Sequence, residues 1–390
     1  MNNLENDKIL EHIEKKNEIV LVGAGKYGVE LLALLAEKGK KVVAFYDNAK
    51  EKQGKYMYGI PIQEPTRREG NCIYIICMRD PSSVSLIHNQ LLALGILEED
   101  VVAVHKFEKK NYETIDWNDI KQCKEAIEEL YFDVFQKKMN WDNPITYNEK
   151  LNWEKIYDPN PLKTRLADKY LVRNWVFEKI GEEYLTRLYG VWDKPEEIDY
   201  DALPSQFVLK TNNGSGRNII VTDKTKIEIS AIKNQLAVWL KKSHYPVGFE
   251  IQYRDITPKI ICEEYLEGVA ENLYDYDVFC FHGEPKYILC IKGSHRPGSK
   301  ASFYDLNWNK QEFSNGYPID EGMAPKPDKL DEMLELSRKL SQGFKHARVD
   351  WYEYPKSRHG ILFSEITFTT WAGLKHFFPP QYDEILGKLI

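Results

Sequence analysis

Apolar residues follow two rhythms along this chain. Over the first hundred residues, short stretches with unbroken apolar cores at 18–23, 41–46, 72–77 and 101–104 alternate with other stretches. In those, at 25–38 and 83–94, apolar positions recur every three to four residues. Short runs bounded by turn residues read as buried strands, and the longer period reads as helix. Strands that alternate with helices of this length build βαβ units on a parallel sheet. Ile9, Leu10 and Ile13 add a helical spacing at 7–16. The alternation ends near His105.

The pattern then changes. Residues 106–160 are aromatic and charged, helical in spacing over 117–137 and loop-like beyond, with turn chemistry at 141–144. From about residue 150, a helix over 162–180 is followed by strand candidates at 207–212, 218–222, 260–265, 277–281, 287–291, 347–353 and 361–366. Strands and helices without strict alternation indicate an α+β body. The expected domains are 1–105, a helical connector at 106–150, and 151–390.

The first strand runs into IVLVGAGKYG (19–28), a G-x-G-x-x-G that opens a helix, and Asp47 ends the second strand. Gly23 permits the tight turn, Gly25 lets backbone approach a phosphate, and Gly28 lets helix and strand pack closely. Asp47 is placed to bond a ribose hydroxyl. The block resembles the small Rossmann-like domains at the front of sugar-nucleotide acetyltransferases. The shared pattern is the glycine turn, FYDN (45–48), GIPI (59–62) and LLALGI (91–96). That resemblance implies a nucleotide-sugar ligand. A nicotinamide cofactor and a ligand-free scaffold remain open.

FVLKTNNGSGRNIIV (207–221) reads as strand, small-residue loop, strand. Such a loop can lay backbone N–H groups over phosphates while Lys210 supplies charge beside them. Upstream, Asp168 and Lys169 fall within the helical stretch, with Arg173 after them. Downstream come ICEEYLEG (261–268), RVD (348–350) and EIT (365–367). Carboxylates on adjacent antiparallel strands can face one divalent cation, and Mg²⁺ takes one or two carboxylates plus phosphate oxygens.

In this order the anchors resemble the ATP-grasp superfamily, and within it the TupA-like group of teichuronopeptide biosynthesis. The resemblance covers about 130–388 and includes YDP (157–159), Lys163, LADKYLVR (166–173), FYD (303–305), Trp308 and Gly373-Leu374. It implies two α+β subdomains clasping ATP. Lys169 and Lys210 match phosphate-contacting lysines, and Asn213, Gly214, Ser215 and Gly216 match the loop that closes over the phosphates. Glu263, Glu264, Tyr265 and Leu266 match the adenine hinge, and Asp275 the ribose-binding acid. Asp350 and Glu365 match the Mg²⁺ ligands, and Arg348 the arginine at the reacting groups. Where most ATP-grasp enzymes carry a further metal-site Asn, this chain, like the TupA-like group, has Thr367, whose hydroxyl the resemblance offers as a third Mg²⁺ ligand.

The resemblance implies an ATP-dependent carboxylate–amine ligase that forms an amide through an acyl phosphate. With the front domain it points to polysaccharide decoration in the cell envelope or capsule, joining a uronic acid or nucleotide-sugar carboxylate to an amine or amino acid. KGSHRPG (292–298) and WAGLKH (371–376) are basic and glycine-punctuated. They offer His295, Arg296, Lys375 and His376 as substrate contacts. A sugar kinase, a non-catalytic nucleotide-sugar binder and a nicotinamide oxidoreductase are the alternatives.

Composition narrows this only at the edges. The 390 residues carry a net charge of -7, which disfavours a general nucleic-acid binder. No apolar run approaches the ~20 residues of a membrane span. Six scattered cysteines without a CxxC pair fit reduced thiols and a cytoplasmic location.

Overall fold

The computed structural model of the chain describes residues 16, 18–37, 39–78, 81–103, 115–214, 216–241, 248–267, 274–293, 299–316, 322 and 324–390. The helical spacing at 7–16 (all but residue 16), and Val104, Ser215, His295 and Arg296, lie outside the described residues. The chain forms two compact units. One comprises Met1–Thr114, Glu128–Met139 and His376–Gln381; the other comprises Ile115–Ile127, Asn140–Lys375 and Tyr382–Ile390.

The first unit is built on a six-stranded sheet in the order β3-β4-β2-β1-β5-β6. Its strands are β1 (Glu18–Val22), β2 (Val42–Tyr46), β3 (Tyr56–Met57), β4 (Ile60–Gln63), β5 (Cys72–Ile76) and β6 (Val101–Ala103). All pairings are parallel except that of β3 with β4. The unbroken apolar runs arise because both faces are covered. Ile19, Leu21, Phe45, Ile73 and Ile75 pack under α1 (Lys26–Glu37) with Leu32 and Leu35. Val20, Val22, Ala44, Tyr46 and Tyr74 pack under α2 (Pro81–Ala93) with Ile87 and Leu91. The turn after β1 takes the backbone through Gly23 at φ 115°. A Cβ at Gly28 would lie 2.2 Å from the Gly23 carbonyl oxygen, so close packing of helix on turn requires glycine there. Gly25 faces open space.

Seven further helices follow among the described residues, beginning with α3 (Ile120–Phe135), whose residues contribute to both units, and α4 (Tyr147–Tyr157). The sequence expectation of a loop from the end of the 117–137 helix to residue 160 fails at α4. Thr146 accepts from the Glu149 N–H, and Glu149 accepts in return from the Thr146 N–H, a capping box that starts the helix. The single helix expected over 162–180 is two, α5 (Pro161–Ala167) and α6 (Val172–Ile180). The break falls at Asp168, whose Oδ1 accepts from the N–H groups of Tyr170 (2.8 Å) and Leu171 (3.1 Å). Lys169 therefore stands in a turn, not inside a helix.

The second unit holds two antiparallel sheets. The first has the order β7-β10-β8-β9, from β7 (Leu188–Trp192), β8 (Phe207–Thr211), β9 (Asn218–Val221) and β10 (Ile260–Glu264). It is covered by α7 (Ile229–Leu240) through Ile232 and Leu236. The second has the order β13-β12-β11-β14-β15, from β11 (Tyr274–Phe281), β12 (Glu284–Lys292), β13 (Lys300–Tyr304), β14 (His346–Glu353) and β15 (Ile361–Thr367). One face of this sheet, with Val278, Cys280, Val349 and Trp351, is buried under α8 (Leu330–Ser341). The chain closes with α9 (Gln381–Gly387). Strands β7 and β13 and helices α7 and α8 were not anticipated from the sequence.

Gly28→Ala should destabilise the first unit by about 1–3 kcal/mol through overpacking, and Gly25→Ala by about 0.5 kcal/mol or less. Hydrogen exchange of the β1 and β2 peptides in the full chain checks this; equal loss of protection in both variants would contradict it.

Candidate active site

The face of the second sheet turned away from α8 is polar, and register fixes what stands on it. Asp277 lies opposite Asp350 and Phe279 opposite Arg348 across β11 and β14. Asp350 lies opposite Glu365 and Arg348 opposite Thr367 across β14 and β15. Side chains two apart on a strand share a face, so four charged groups converge. The Arg348 guanidinium donates from Nε to Asp350 Oδ1 (2.8 Å) and from Nη2 to Asp350 Oδ2 (2.5 Å). The same Nη2 reaches Glu365 Oε1 at 3.3 Å, and Nε lies 3.5 Å from Asp277 Oδ2. Thr367 donates its hydroxyl to Glu365 Oε1 at 3.5 Å.

Three carboxylates thus share one guanidinium. Burial pushes Asp350 well above the usual carboxylate range, against the pull of Arg348. Burial likewise carries Asp277 up to about 7, with Arg348 opposing and Asp275 and Glu365 adding repulsion. Arg348 is held firmly charged, because the acids around it outweigh the cost of its burial. Sequence reasoning named Arg348, Asp350 and Glu365 but missed Asp277. The signal was present in Tyr274–Phe281: two aspartates spaced by two in an otherwise apolar buried strand.

Among the described residues, no three His, Cys, Asp or Glu side chains gather in metal-holding geometry. A two-carboxylate site completed by phosphate oxygens is nevertheless what Mg²⁺ prefers. Asp350 and Glu365 fit it by donor chemistry, and the excess negative charge around Arg348 favours a cation.

The second cluster is organised by the helix break at Asp168. Asp168 Oδ2 accepts from Asn212 Nδ2 (2.8 Å), and Asn212 Oδ1 accepts from the Lys259 N–H (2.7 Å). The Lys169 N–H donates to the Asn212 carbonyl (3.0 Å). These bonds fix the turn after α5 against the end of β8. Lys169 then donates to the Gly214 carbonyl at 2.7 Å and pairs with Glu365 at 3.3 Å. Lys210 pairs with Glu263 at 2.5 Å, and Arg173 reaches the other oxygen of Glu263 at 3.1 Å. A pocket opens here, lined in part by Lys169, Arg173, Lys210, Glu263 and Tyr352. In the hairpin loop Gly214 and Gly216 take φ of 87° and 73°, where a side chain would strain the backbone. Asn213 is buried with its Oδ1 lacking a partner, as expected of a group awaiting a ligand.

Other sequence-predicted residues are placed differently. Glu263 stands in the site through its carboxylate. The Glu264 N–H, expected in the hinge, donates to the Arg187 carbonyl instead. Tyr265 and Leu266 follow the end of β10. Asp275 is buried on the polar face, opposite Tyr352. In the first unit both oxygens of Asp47 are committed. Oδ1 accepts from the Ala49 N–H, and Oδ2 from the Ala24 N–H and from Lys52, each at 2.9 Å. Burial alone would raise Asp47, but these donors hold it below the usual range. Its carboxylate pins the glycine turn to the end of β2. The Lys375 N–H and carbonyl both bond Asn148. His376 is buried in the first unit, with Nε2 3.1 Å from the Val134 carbonyl and its ring against Phe135.

A family model described as TupA-like ATP-grasp matches residues 149–390. No curated protein matches the chain. Solved structures similar to it include phosphoribosylamine–glycine ligase from Thermotoga maritima (14% identity, 90% of this chain and 68% of that one, TM-score 0.36). D-alanine–D-alanine ligase from Bacillus anthracis complexed with ATP is another (12%, 90% and 85%, TM-score 0.34). A third is N5-carboxyaminoimidazole synthase from Aspergillus clavatus with ADP and its ribonucleotide (12%, 91% and 70%, TM-score 0.33).

A carboxyl whose pKa is higher folded than unfolded stabilises the fold in acid, and that share is lost as pH rises through about 7 for Asp277. Between pH 5 and 7 wild type should therefore lose up to about 1.4 kcal/mol per pH unit relative to Asp277→Asn. All nine tryptophans lie in the second unit, so their fluorescence during urea unfolding reports the difference. Parallel stability curves would contradict the assignment.

Proposed function

The chain belongs to the TupA-like ATP-grasp family, and we propose that it is an ATP-dependent ligase joining a substrate carboxylate to an amine. The observation that carries this is the proximity of the two clusters through Lys169. One side chain touches the glycine hairpin at Gly214 and the acid cluster at Glu365. A triphosphate lying along Lys210, Lys169 and Arg348 would meet three cations in sequence. Its γ-phosphoryl group would fall beside Asp350 and Glu365.

The carboxylate oxygen attacks the γ-phosphorus. The bond to the β-phosphate oxygen breaks, ADP leaves, and an acyl phosphate forms. The amine nitrogen then attacks the acyl carbon, phosphate leaves, and the nitrogen loses a proton to give the amide. This chain's residues contribute position and charge. Lys210 and Lys169 exchange their carboxylate partners for phosphate oxygens, so the ions are already oriented before nucleotide arrives. Arg348, held rigid by Asp350, balances charge on the transferring group. Asp350 and Glu365 would hold Mg²⁺, which when bound would supply positive charge to neutralise the phosphates. The hairpin loop covers the phosphates and excludes the water that would hydrolyse the acyl phosphate.

For acceptors we assign a sugar or nucleotide-sugar carboxylate and an amino compound, in decoration of an envelope polysaccharide. The support is the resemblance of residues 1–105 to sugar-nucleotide domains. ADP release screened with Mg-ATP against a matrix of uronic acids, nucleotide-uronates and amines tests this. Release is expected only with both acceptors, and release independent of amine overturns the ligase reading in favour of a kinase. Asp350→Asn should lower turnover by about 10²-fold or more. Near-wild-type turnover in that variant would remove Asp350 from the site.

A further inference from the structure

Two segments approach the acid cluster, one around Gly248 to Tyr253 and one from Thr369 to Gly373, after β15. Trp371, Ala372 and Gly373 have φ of 51°, 57° and 60°. Left-handed backbone is disfavoured by a Cβ, so a run of three persists only where the surroundings over-determine it. Those surroundings centre on Lys155 of α4. Its Nζ donates to the carbonyls of Gly248 (2.6 Å) and Ala372 (2.7 Å) and to Asn152 Oδ1 (2.7 Å). Asn152 Nδ2 donates to the Gly373 carbonyl at 2.7 Å. Thr369 donates to Glu250 Oε1 and accepts from Gln252 Nε2, both at 2.6 Å. The segments touch so closely that a Cβ on Gly248 would lie 2.4 Å from that of Ala372. Lys155 is 2% exposed. Burial pulls its ammonium down to about 7 against the charge of Glu250, so its three oxygen partners are needed to keep an ion there.

Both segments reach the reacting face. The Tyr253 phenol lies in the field of Glu365, Arg348 and Asp350. The Trp371 ring lies 5.7 Å from that of Phe279, which stands opposite Arg348.

We propose that Lys155 is a positioning residue for the carboxylate substrate: it joins the two segments so that Tyr253 and Trp371 form a fixed aromatic wall beside Arg348. This rests on the ligase reading. Such a wall next to a guanidinium suits a substrate with an apolar ring face and a carboxylate, as in a uronic acid.

Full-length Lys155→Met tests the joint in two ways. Hydrogen exchange should lose protection at 248–253 and 369–373 together, with 166–173 and 207–213 unchanged. KM for the carboxylate should rise at least about tenfold, with KM for ATP kept within about twofold. Unchanged exchange overturns the joint. Loosened segments with unchanged carboxylate KM overturn the positioning role. If Lys155→Met does not fold, Gly248→Ala presses on the same contact and carries the same expectations. Failure of the ligase reading shows separately, as wild-type protein without amine-dependent ADP release; the exchange measurement then still decides the joint.

Discussion

The second unit depends on one buried guanidinium. Arg348 sits in the middle of a sheet face where burial alone would neutralise the acids beside it. It keeps carboxylates of β11, β14 and β15 together by pairing its N–H groups with all three. Removing it would leave buried acids unpaired, which is among the costlier changes a fold can suffer. The register of three strands is therefore tied to one side chain. A one-residue slip of any one of these strands would carry its own members of the cluster to the apolar face under α8.

The hairpin site uses the same economy at smaller scale. Asp168 breaks a helix, and the groups freed by that break are spent on Asn212, which in turn holds Lys259. Lys169 is left projecting from that turn onto the hairpin loop at Gly214. Lys210 and Arg173 share Glu263 between them. Each candidate phosphate-binding cation thus rests on a protein carboxylate. These pairs keep partly buried charges satisfied and pre-oriented without nucleotide.

The sequence disclosed the fold unevenly. Apolar runs and the glycine turn located β1, β2 and β5 well, because strands covered on both faces have little choice of composition. Strand β7 and helices α7 and α8 were missed. β7 (LYGVW) is short and half-buried throughout, with no in-out alternation, and α8 mixes its apolar residues with charged ones, so packing against a sheet is what defines their faces. Asp47 matched a ribose-binding position in spacing, yet its oxygens are taken by Ala24, Ala49 and Lys52. Spacing along a chain does not show which donors will surround a carboxylate.

By itself the sequence determined residue chemistry and order: a lysine before a glycine hairpin, then an arginine and two acids on late strands. Those depend on local pattern and are legible without coordinates. Tertiary structure decided the rest. It brought Asp277 to Arg348 across a strand pair, turned Asp168 into a helix break, and buried His376 against Val134. It also set Lys155 beneath a left-handed turn more than 200 residues further along the chain. Such outcomes follow from register and burial, which exist only once distant segments have packed.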